Sequence, residues 1–397
     1  MEDDEMTPNT IEGLQPFALH AGFGERETHT MITSALDQGC SDLKIQSNDY
    51  VTVYWRRRWY PLTNRLLEDT EVKKILSILC GPAAIPKLGK GDEVDEDPEF
   101  FRPNADRILV RLRLHAIAAR VGGEKNGVSI TIRTIPENLP ELSKQGLPEG
   151  VAEDLLVDKG LVLVNGATGS GKTTLIAAVL HERTKETPAP SIQTFEEPIE
   201  ISYGKAGLGR GPLVAQAAIG KHLHSWGRAA PSAMRSKPDI LLMGEVRDEE
   251  TADKTVEMAI TGHGVLATIH ADTPNETMFR LVEMFPAEVR AAAASKMLGA
   301  LRMICSRKIV KLDNGDVVPL TSWISFDSDI KDALQSEEWP YPRWARFVRN
   351  YLIEHGQDFA SQCVPFIRSG AMGLKMFREI TQMGRVEAQQ YFDKARG

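Results

Sequence analysis

Four short, mainly apolar segments, 161–165, 191–195, 239–243 and 264–270, punctuate the middle of the chain. Segments of this kind read as strands buried on both faces. Between and after them, helical spacing of apolar residues predicts helices near 173–180, 229–235, 250–260 and 273–284. Alternation of this kind is the pattern of a parallel sheet covered on both sides, an α/β domain over 151–312. Upstream, a helix through Ala35 and Leu36, alternating strands at 42–45 and 50–55, a helix at 71–79 and strands at 108–115 and 127–133 predict a smaller α+β domain over 28–135. Residues 1–27 are acidic and polar, and predict a disordered tail. Pro136 and Pro140 discourage regular structure, which makes 136–150 the linker and expected hinge. A glycine-rich loop is expected at 204–220. Beyond 313 the rhythm changes to a mainly helical extension ending at 397, in which Trp344, Phe347, Val348, Tyr351 and Leu352 share one face of a helix over 343–355. That face packs on its own domain or docks a partner.

Chemistry enters where the first of the apolar segments ends. Gly166, Ala167, Thr168, Gly169, Ser170, Gly171, Lys172, Thr173 and Thr174 complete a G-x-x-x-x-G-K-T loop that runs from a strand into a helix. Gly166, Gly169 and Gly171 let successive backbone N–H groups face one anion. Lys172 supplies charge for the β- and γ-phosphates, the Thr173 hydroxyl is suited to ligate Mg²⁺, and the helix directs its positive end at the same oxygens. ATP and Mg²⁺ are therefore the expected substrate and ion.

Composition narrows the setting. The chain of 397 residues is 42% hydrophobic and 26% charged, ordinary for a globular protein of two or three domains. No run of 18 apolar residues occurs, and the start Met1-Glu2-Asp3-Asp4-Glu5 lacks an export signal, so a cytoplasmic protein is expected. Cys40, Cys80, Cys305 and Cys363 are far apart and form no C-x-x-C pair, which indicates reduced thiols and no zinc site. A net charge of −8 argues against sequence-independent nucleic-acid binding. Arg56, Arg57 and Arg58 beside Trp55 and Trp59 imitate a nucleic-acid surface, although a solvated strand face explains them too.

A phosphate loop alone leaves many enzyme classes open, and three further segments decide among them. These are Thr194-Phe195-Glu196-Glu197-Pro198-Ile199-Glu200, then Leu241-Leu242-Met243-Gly244-Glu245-Val246-Arg247-Asp248, then Thr261-Gly262-His263-Gly264-Val265-Leu266-Ala267-Thr268-Ile269-His270. With the loop and the arginines upstream, they resemble the PilT-like secretion ATPase superfamily across about residues 31–310. The correspondence is to its Walker A loop, Asp box, Walker B strand with Gly in place of Asp, and two-histidine box. The resemblance implies a RecA-like ATPase domain preceded by a PAS-like domain. It places Glu200 beside the attacking water and Glu245 near Mg²⁺, acting through water, or near the nucleophile. It makes His263 and His270 readers of the γ-phosphate, with His270 at the strand exit the stronger choice. Glu197 stands where the family usually has Asp, a longer arm of the same charge.

The same resemblance assigns Arg113 and Arg133 to strands that present arginines to the nucleotide of a neighbouring subunit; the alternative is pairing with surface acids. Arg120 is a third choice, because 122–126 reads as an insertion. The segment Ala233-Met234-Arg235-Ser236-Lys237-Pro238-Asp239 departs from the family's usual form, and no Ala-Ile-Arg motif follows Met303. Residues 310–334, with Trp323-Ile324-Ser325-Phe326-Asp327, look similar to DotB-type ATPases of Dot/Icm (type IVB) secretion and of plasmid conjugation. The implied protein is a homo-hexameric ATPase docked peripherally on inner-membrane secretion or conjugation proteins, with no direct contact to nucleic acid. A pilus retraction motor, a nucleic-acid translocase and a regulatory subunit with little turnover are the alternatives.

Overall fold

The computed structural model describes residues 13–20, 23–56, 58–103, 108–135, 139–203, 213–336 and 340–397. The chain divides into two compact units, Met1–Asn138 and Leu139–Gly397. The first contains α1 (Glu25–Asp37), β1 (Asp42–Gln46), β2 (Thr52–Trp55), β3 (Arg58–Pro61), α2 (Asp69–Cys80), α3 (Ala84–Gly89), β4 (Val94–Glu96), β5 (Glu99–Phe101), β6 (Leu109–Val121) and β7 (Glu124–Thr134). Its sheet has the order β3-β2-β1-β7-β6-β4, with β5 also on β6, and every pairing is antiparallel. Alternation sets the two faces. Leu43, Ile45, Val53, Leu112, Leu114, Ile130 and Ile132 join Met31, Ile32, Val72 and Ile75 of α1 and α2 in one core. The opposite face carries Lys44, Tyr54, Arg113, Thr131 and Arg133.

One expectation for this unit needs correction. Leu14, Leu19 and Phe23 are buried in its core and α1 begins at Glu25, so the unstructured tail cannot extend to 27; residues 1–12 lie outside the described residues. Three apolar anchors in a polar stretch are enough to fix it. Residues 122–126, read as an insertion, form the turn and first residues of the β6–β7 hairpin, with Gly122 and Gly123 at φ +55° and +81°. Of the Arg56–Arg58 cluster, Arg56 stacks on the Trp55 ring at 4.1 Å, and Arg57 lies outside the described residues.

The second unit contains α4 (Val151–Leu155), β8 (Gly160–Asn165), α5 (Lys172–Arg183), β9 (Ile192–Glu196), β10 (Val214–Ala218), α6 (Ala229–Ser236), β11 (Ile240–Met243), α7 (Glu249–Ile260), β12 (Gly264–Ile269), α8 (Pro274–Glu283) and α9 (Arg290–Ala300). It continues with β13 (Leu301–Lys311), β14 (Val317–Ser325), α10 (Ser328–Gln335), α11 (Trp344–Glu354), α12 (Phe359–Arg368), α13 (Leu374–Thr381) and α14 (Arg385–Arg396). The sheet order is β10-β9-β11-β12-β8-β13-β14, parallel except for the final hairpin. Strand period divides the apolar residues between two cores. Leu161, Leu163, Leu241, Met243, Val265 and Ala267 pack toward α6 to α9 on one side. Val162, Val164, Ile240, Leu242 and Leu266 pack toward α5 on the other.

The expected linker is shorter than 136–150. Leu142 is buried, and Leu139 and Leu147 pack on the same core as α5, so these residues belong to the second unit and are removed from any hinge; 136–138 lie outside the described residues. The loop expected at 204–220 contains β10, and 204–212 lie outside the described residues. The boundary at 313 cuts the β13–β14 hairpin, whose second strand extends the sheet of this unit. The helical extension therefore starts at α10. Trp344, Val348 and Leu352 of α11 are buried in the core formed with α8 and α9, while α12 to α14 cover Val310, Leu312 and Leu320 of the hairpin. Trp344 is 5% exposed, and its Nε1 donates to the Leu334 carbonyl at 2.7 Å. Trp344→Ala is expected to cost about 3–5 kcal/mol in urea unfolding, through lost burial and a cavity. An unchanged midpoint would mean that α11 is not part of the cooperative core.

Candidate functional site

The phosphate loop leaves β8 at Asn165, and α5 begins at Lys172 behind Gly171 with φ +87°. Gly166 has φ +146°, and a Cβ there would sit 2.4 Å from the Arg307 carbonyl and 2.5 Å from Ser170 Oγ. No other residue fits that position without moving β13. Ala167, Thr168, Gly169 and Thr174 are exposed at the rim, Thr173 is half-buried, and the Ser170 hydroxyl is buried with no hydrogen-bond partner. Lys172 Nζ donates to the carbonyls of Gly166 at 2.7 Å and Ala167 at 3.1 Å. Burial lowers the Lys172 pKa, and the negative fields of Glu245 and Glu200 oppose that shift. Both carboxylates therefore lie within electrostatic reach of the lysine.

Register brings the strand ends together, since Phe195 pairs with Met243, Met243 with Ala267 and Ala267 with Leu163. Ligands of open α/β sheets gather at such carboxyl ends. Past β11, the Gly244 N–H donates to the Phe195 carbonyl at 2.7 Å, and the Gly244 carbonyl accepts from Thr268 Oγ1. A Cβ on residue 244 would approach Phe195 O at 3.0 Å and Glu196 Cα at 3.1 Å. Glycine in this Walker B strand thus answers the close passage of β9. Glu245 follows immediately, and its Oε1 lies 3.4 Å from His270 Nε2, both side chains being partly exposed.

The turn bearing His270 is pinned from three sides. Asn165 Nδ2 donates to the Ala271 carbonyl at 3.0 Å, Ser306 Oγ donates to Asn165 Oδ1 at 2.8 Å, and the Arg280 guanidinium bonds the His270 carbonyl. Asn165, Thr268 and Arg280 were not among the expected site residues. The one signal for Asn165 is a polar residue closing an apolar run, and nothing in spacing marks the other two.

Of the Asp-box acids, Glu196 is buried, Glu200 is exposed, and Glu197 accepts from Trp226 Nε1 at 3.0 Å and pairs with Arg247 at 3.1 Å. The longer arm of Glu197 is spent on contacts within its own unit.

His263 requires correction. It precedes β12 at the amino ends of the strands, where its carbonyl accepts from Gly160 N–H at 2.9 Å and its Nδ1 lies 3.1 Å from the Met258 carbonyl. Gly264 pairs with Gly160 whereas Ile269 pairs with Asn165, so His263 is one strand length, roughly 17 Å, from the phosphate loop. It lines a separate cavity of about 610 Å³ with Arg183, Lys237 and Asp239. Two histidines seven residues apart on a strand of six residues must occupy opposite ends of the sheet.

Arg113 and Arg133 lie in the amino-terminal unit, directly opposite each other on β6 and β7, and Arg133 Nε is 3.0 Å from Asp42 Oδ1. Arg120 is exposed near the hairpin tip.

The residues of the loop fit a magnesium-bound nucleoside triphosphate. The Gly166 cradle, the buried Ser170 hydroxyl without a partner and the Lys172 ammonium answer the phosphates, while the Thr173 hydroxyl and Glu245 are oxygen donors. Among the described residues no three His, Cys, Asp or Glu form a metal cage. Mg²⁺ is ordinarily held by one or two protein oxygens, water and phosphate, which asks for no such cage.

Comparison with known proteins agrees with this layout. Residues 92–327 match the Type II/IV secretion system protein family. The crystal structure of the ATPase DotB from Legionella pneumophila superposes with a TM-score of 0.80 at 30% identity, covering 92% of this chain and 99% of that one. The pilus retraction motor PilT with bound ADP gives 0.78 at 25% identity, covering 91% and 98%. The uncharacterized protein YggR of Escherichia coli K12 is 37% identical over 199 residues, 50% of this chain and 58% of that protein. The chain spans about half the length of the curated relatives it matches. Since the matched region exceeds half of the chain and takes in the phosphate loop with both the carboxylate and histidine segments, the chain belongs to the Type II/IV secretion system protein family, within the PilT-like secretion ATPases.

Proposed function

We propose that this chain is an ATPase that assembles as a homo-hexamer and hydrolyses ATP between subunits to drive a type IV secretion system of the IVB or conjugative kind. The observation that carries the reading is the convergence of Lys172, Glu200, Glu245 and His270 at the carboxyl ends of one parallel sheet. Loop N–H groups and Lys172 bind the phosphates. Thr173, and Glu245 through water, hold Mg²⁺, which when bound neutralises developing phosphate charge. Glu200 orients the attacking water and accepts its proton. His270 follows the γ-phosphate through Glu245. Arg247 and Arg280 near the site are occupied by Glu197 and the His270 carbonyl, which supports arginines delivered from a neighbour, Arg113 and Arg133. The antiparallel sheet with helices on one face supports a PAS-like reading of the amino-terminal unit, and the parallel sheet a RecA-like reading of the second.

Docking is on the cytoplasmic side of the inner membrane through partner proteins, and among the described residues no helix is long and apolar enough to cross a membrane. The DotB likeness and the sequence at 310–334 support the secretion branch. Pilus retraction is the second reading, favoured by the PilT likeness. In the test, purified protein is assayed for phosphate release with Mg²⁺ and with EDTA, with and without DNA, beside light scattering for mass. Turnover confined to a Mg²⁺-containing hexamer and indifferent to DNA is expected. Full turnover by a monomer would overturn the shared site, and strong stimulation by DNA would favour a translocase. Loss of substrate secretion with intact pilus retraction in a deletion strain separates the two branches.

A further inference from the structure

The segment that bears Glu200 leaves β9 and returns to the sheet as β10, the edge strand. Gln216, the middle residue of β10, pairs in register with Thr194. Its Oε1 accepts the Tyr203 N–H at 3.0 Å, and its Nε2 donates to the Ile201 carbonyl at 2.8 Å and to Glu196 Oε1 at 3.1 Å. One side chain thereby grips residues on both sides of Glu200, using both amide hydrogens and one oxygen lone pair. Glu196 completes the frame: it is 7% exposed and accepts from Thr194 Oγ1 at 2.6 Å as well as from Gln216. Burial pushes its carboxyl above the ordinary range, so the acid has a stake in keeping every donor. Below the frame, buried Tyr203 and half-buried Ile201 seat the segment on the core shared with α5. Glu200 is exposed at the top of a segment whose backbone is fixed from the side by Gln216 and from below by apolar packing.

We infer that Gln216 is a positioning residue for Glu200, fixing where its carboxylate stands relative to the attacking water and so setting the hydrolytic rate without taking part in nucleotide binding. The inference rests on the reading that Glu200 orients that water. Among the described residues the hydrogen-bond partners of the Gln216 amide lie in 196–203 and none belongs to the phosphate loop. An error of about 1 Å in such a carboxylate is enough to cost two orders of magnitude in rate.

The experiment uses the full chain with Gln216→Glu, which keeps shape but loses both donors, and Gln216→Leu, which keeps bulk without polarity. Each is made alone and with Glu200→Gln. Expected for the single variants is a fall in kcat of about tenfold or more, with KM for ATP and binding of a fluorescent ATP analogue changed by less than about threefold. In the Glu200→Gln background, where residual single-turnover rates are compared, Gln216→Leu should produce no further loss. Retained nucleotide binding certifies folding in each variant. If both Gln216 variants turn over at the wild-type rate while Glu200→Gln is inactive, the inference fails and the role of Glu200 stands. If Glu200→Gln keeps full turnover, the reading of Glu200 fails and the inference with it. A full additional loss in the Glu200→Gln background would likewise overturn it, because Gln216 would then act elsewhere.

Discussion

Glu245→Gln is expected to lower ATP turnover by about 10²–10⁴-fold while leaving ATP binding within a few-fold, as removal of a carboxylate that acts mainly on the charge developing in the chemical step should. Three features put Glu245 in that position. Register places it just past β11 at the level of the phosphate loop, Gly244 lets it pass close to β9, and Thr268 ties the preceding carbonyl to β12. Its charge reaches Lys172, and its Oε1 is 3.4 Å from His270. Glutamine keeps the shape and one acceptor oxygen but removes the charge, so the phosphates remain held by loop N–H groups and Lys172 while the hold on Mg²⁺ through water weakens. Phosphate release and nucleotide-analogue binding, measured side by side, check the result. Turnover equal to wild type would remove Glu245 from the mechanism; loss of binding together with turnover would make its role structural. The nucleotide-trapped form should also copurify with its membrane partners from cell membranes more readily than the native chain.

Arg113→Ala should be nearly as damaging, with a loss of turnover of about 10³-fold if the guanidinium reaches the nucleotide of a neighbouring subunit. Arg113 and Arg133 face each other on adjacent strands, and Asp42 engages only Arg133, 3.0 Å away. Like charges directly opposite on a strand pair cost stability, and an incoming anion relieves that cost. Arg113 is half-buried on the face of the sheet opposite the core, so its truncation removes no core contact and the unfolding midpoint should move little. The decisive measurement mixes Arg113→Ala subunits with Lys172→Ala subunits, each inactive alone. In a shared site the intact phosphate loop of one variant meets the intact arginine of the other, and activity returns. Absence of recovery in mixed assemblies shown to contain both variants would place the whole site within one chain.

Much of the catalytic unit was legible because its signals are local. The apolar segments ending at Asn165, Phe195, Met243 and His270 became β8, β9, β11 and β12 with shifts of a residue or so. The phosphate loop needs only its own glycines and the helix that follows. The same reading missed β10, since Val214–Ala218 has one β-branched residue among three alanines and becomes a strand by pairing with β9. It stopped the domain at 312 because the β13–β14 turn, Asp313-Asn314-Gly315-Asp316, looks like a boundary when the partner strands are not in view. Leu14, Leu19 and Phe23 were passed over because three apolar residues without periodicity carry no pattern, though each is buried.

For the site, the sequence by itself determined which groups are present: a glycine-cradled lysine and threonine, acids two and five residues past the apolar segments that end at Met243 and Phe195, and a histidine closing another. Residue type and near-neighbour spacing suffice for that, because backbone conformation and charge act over a few residues. Only the tertiary structure decided which of them meet. It set His270 against Glu245, sent His263 to the far end of the sheet, turned Glu197 to Trp226 and Arg247, and brought Gln216 from the edge strand around Glu200. The physical reason is that parallel pairing fixes direction and register between segments tens of residues apart, and no local propensity carries that information.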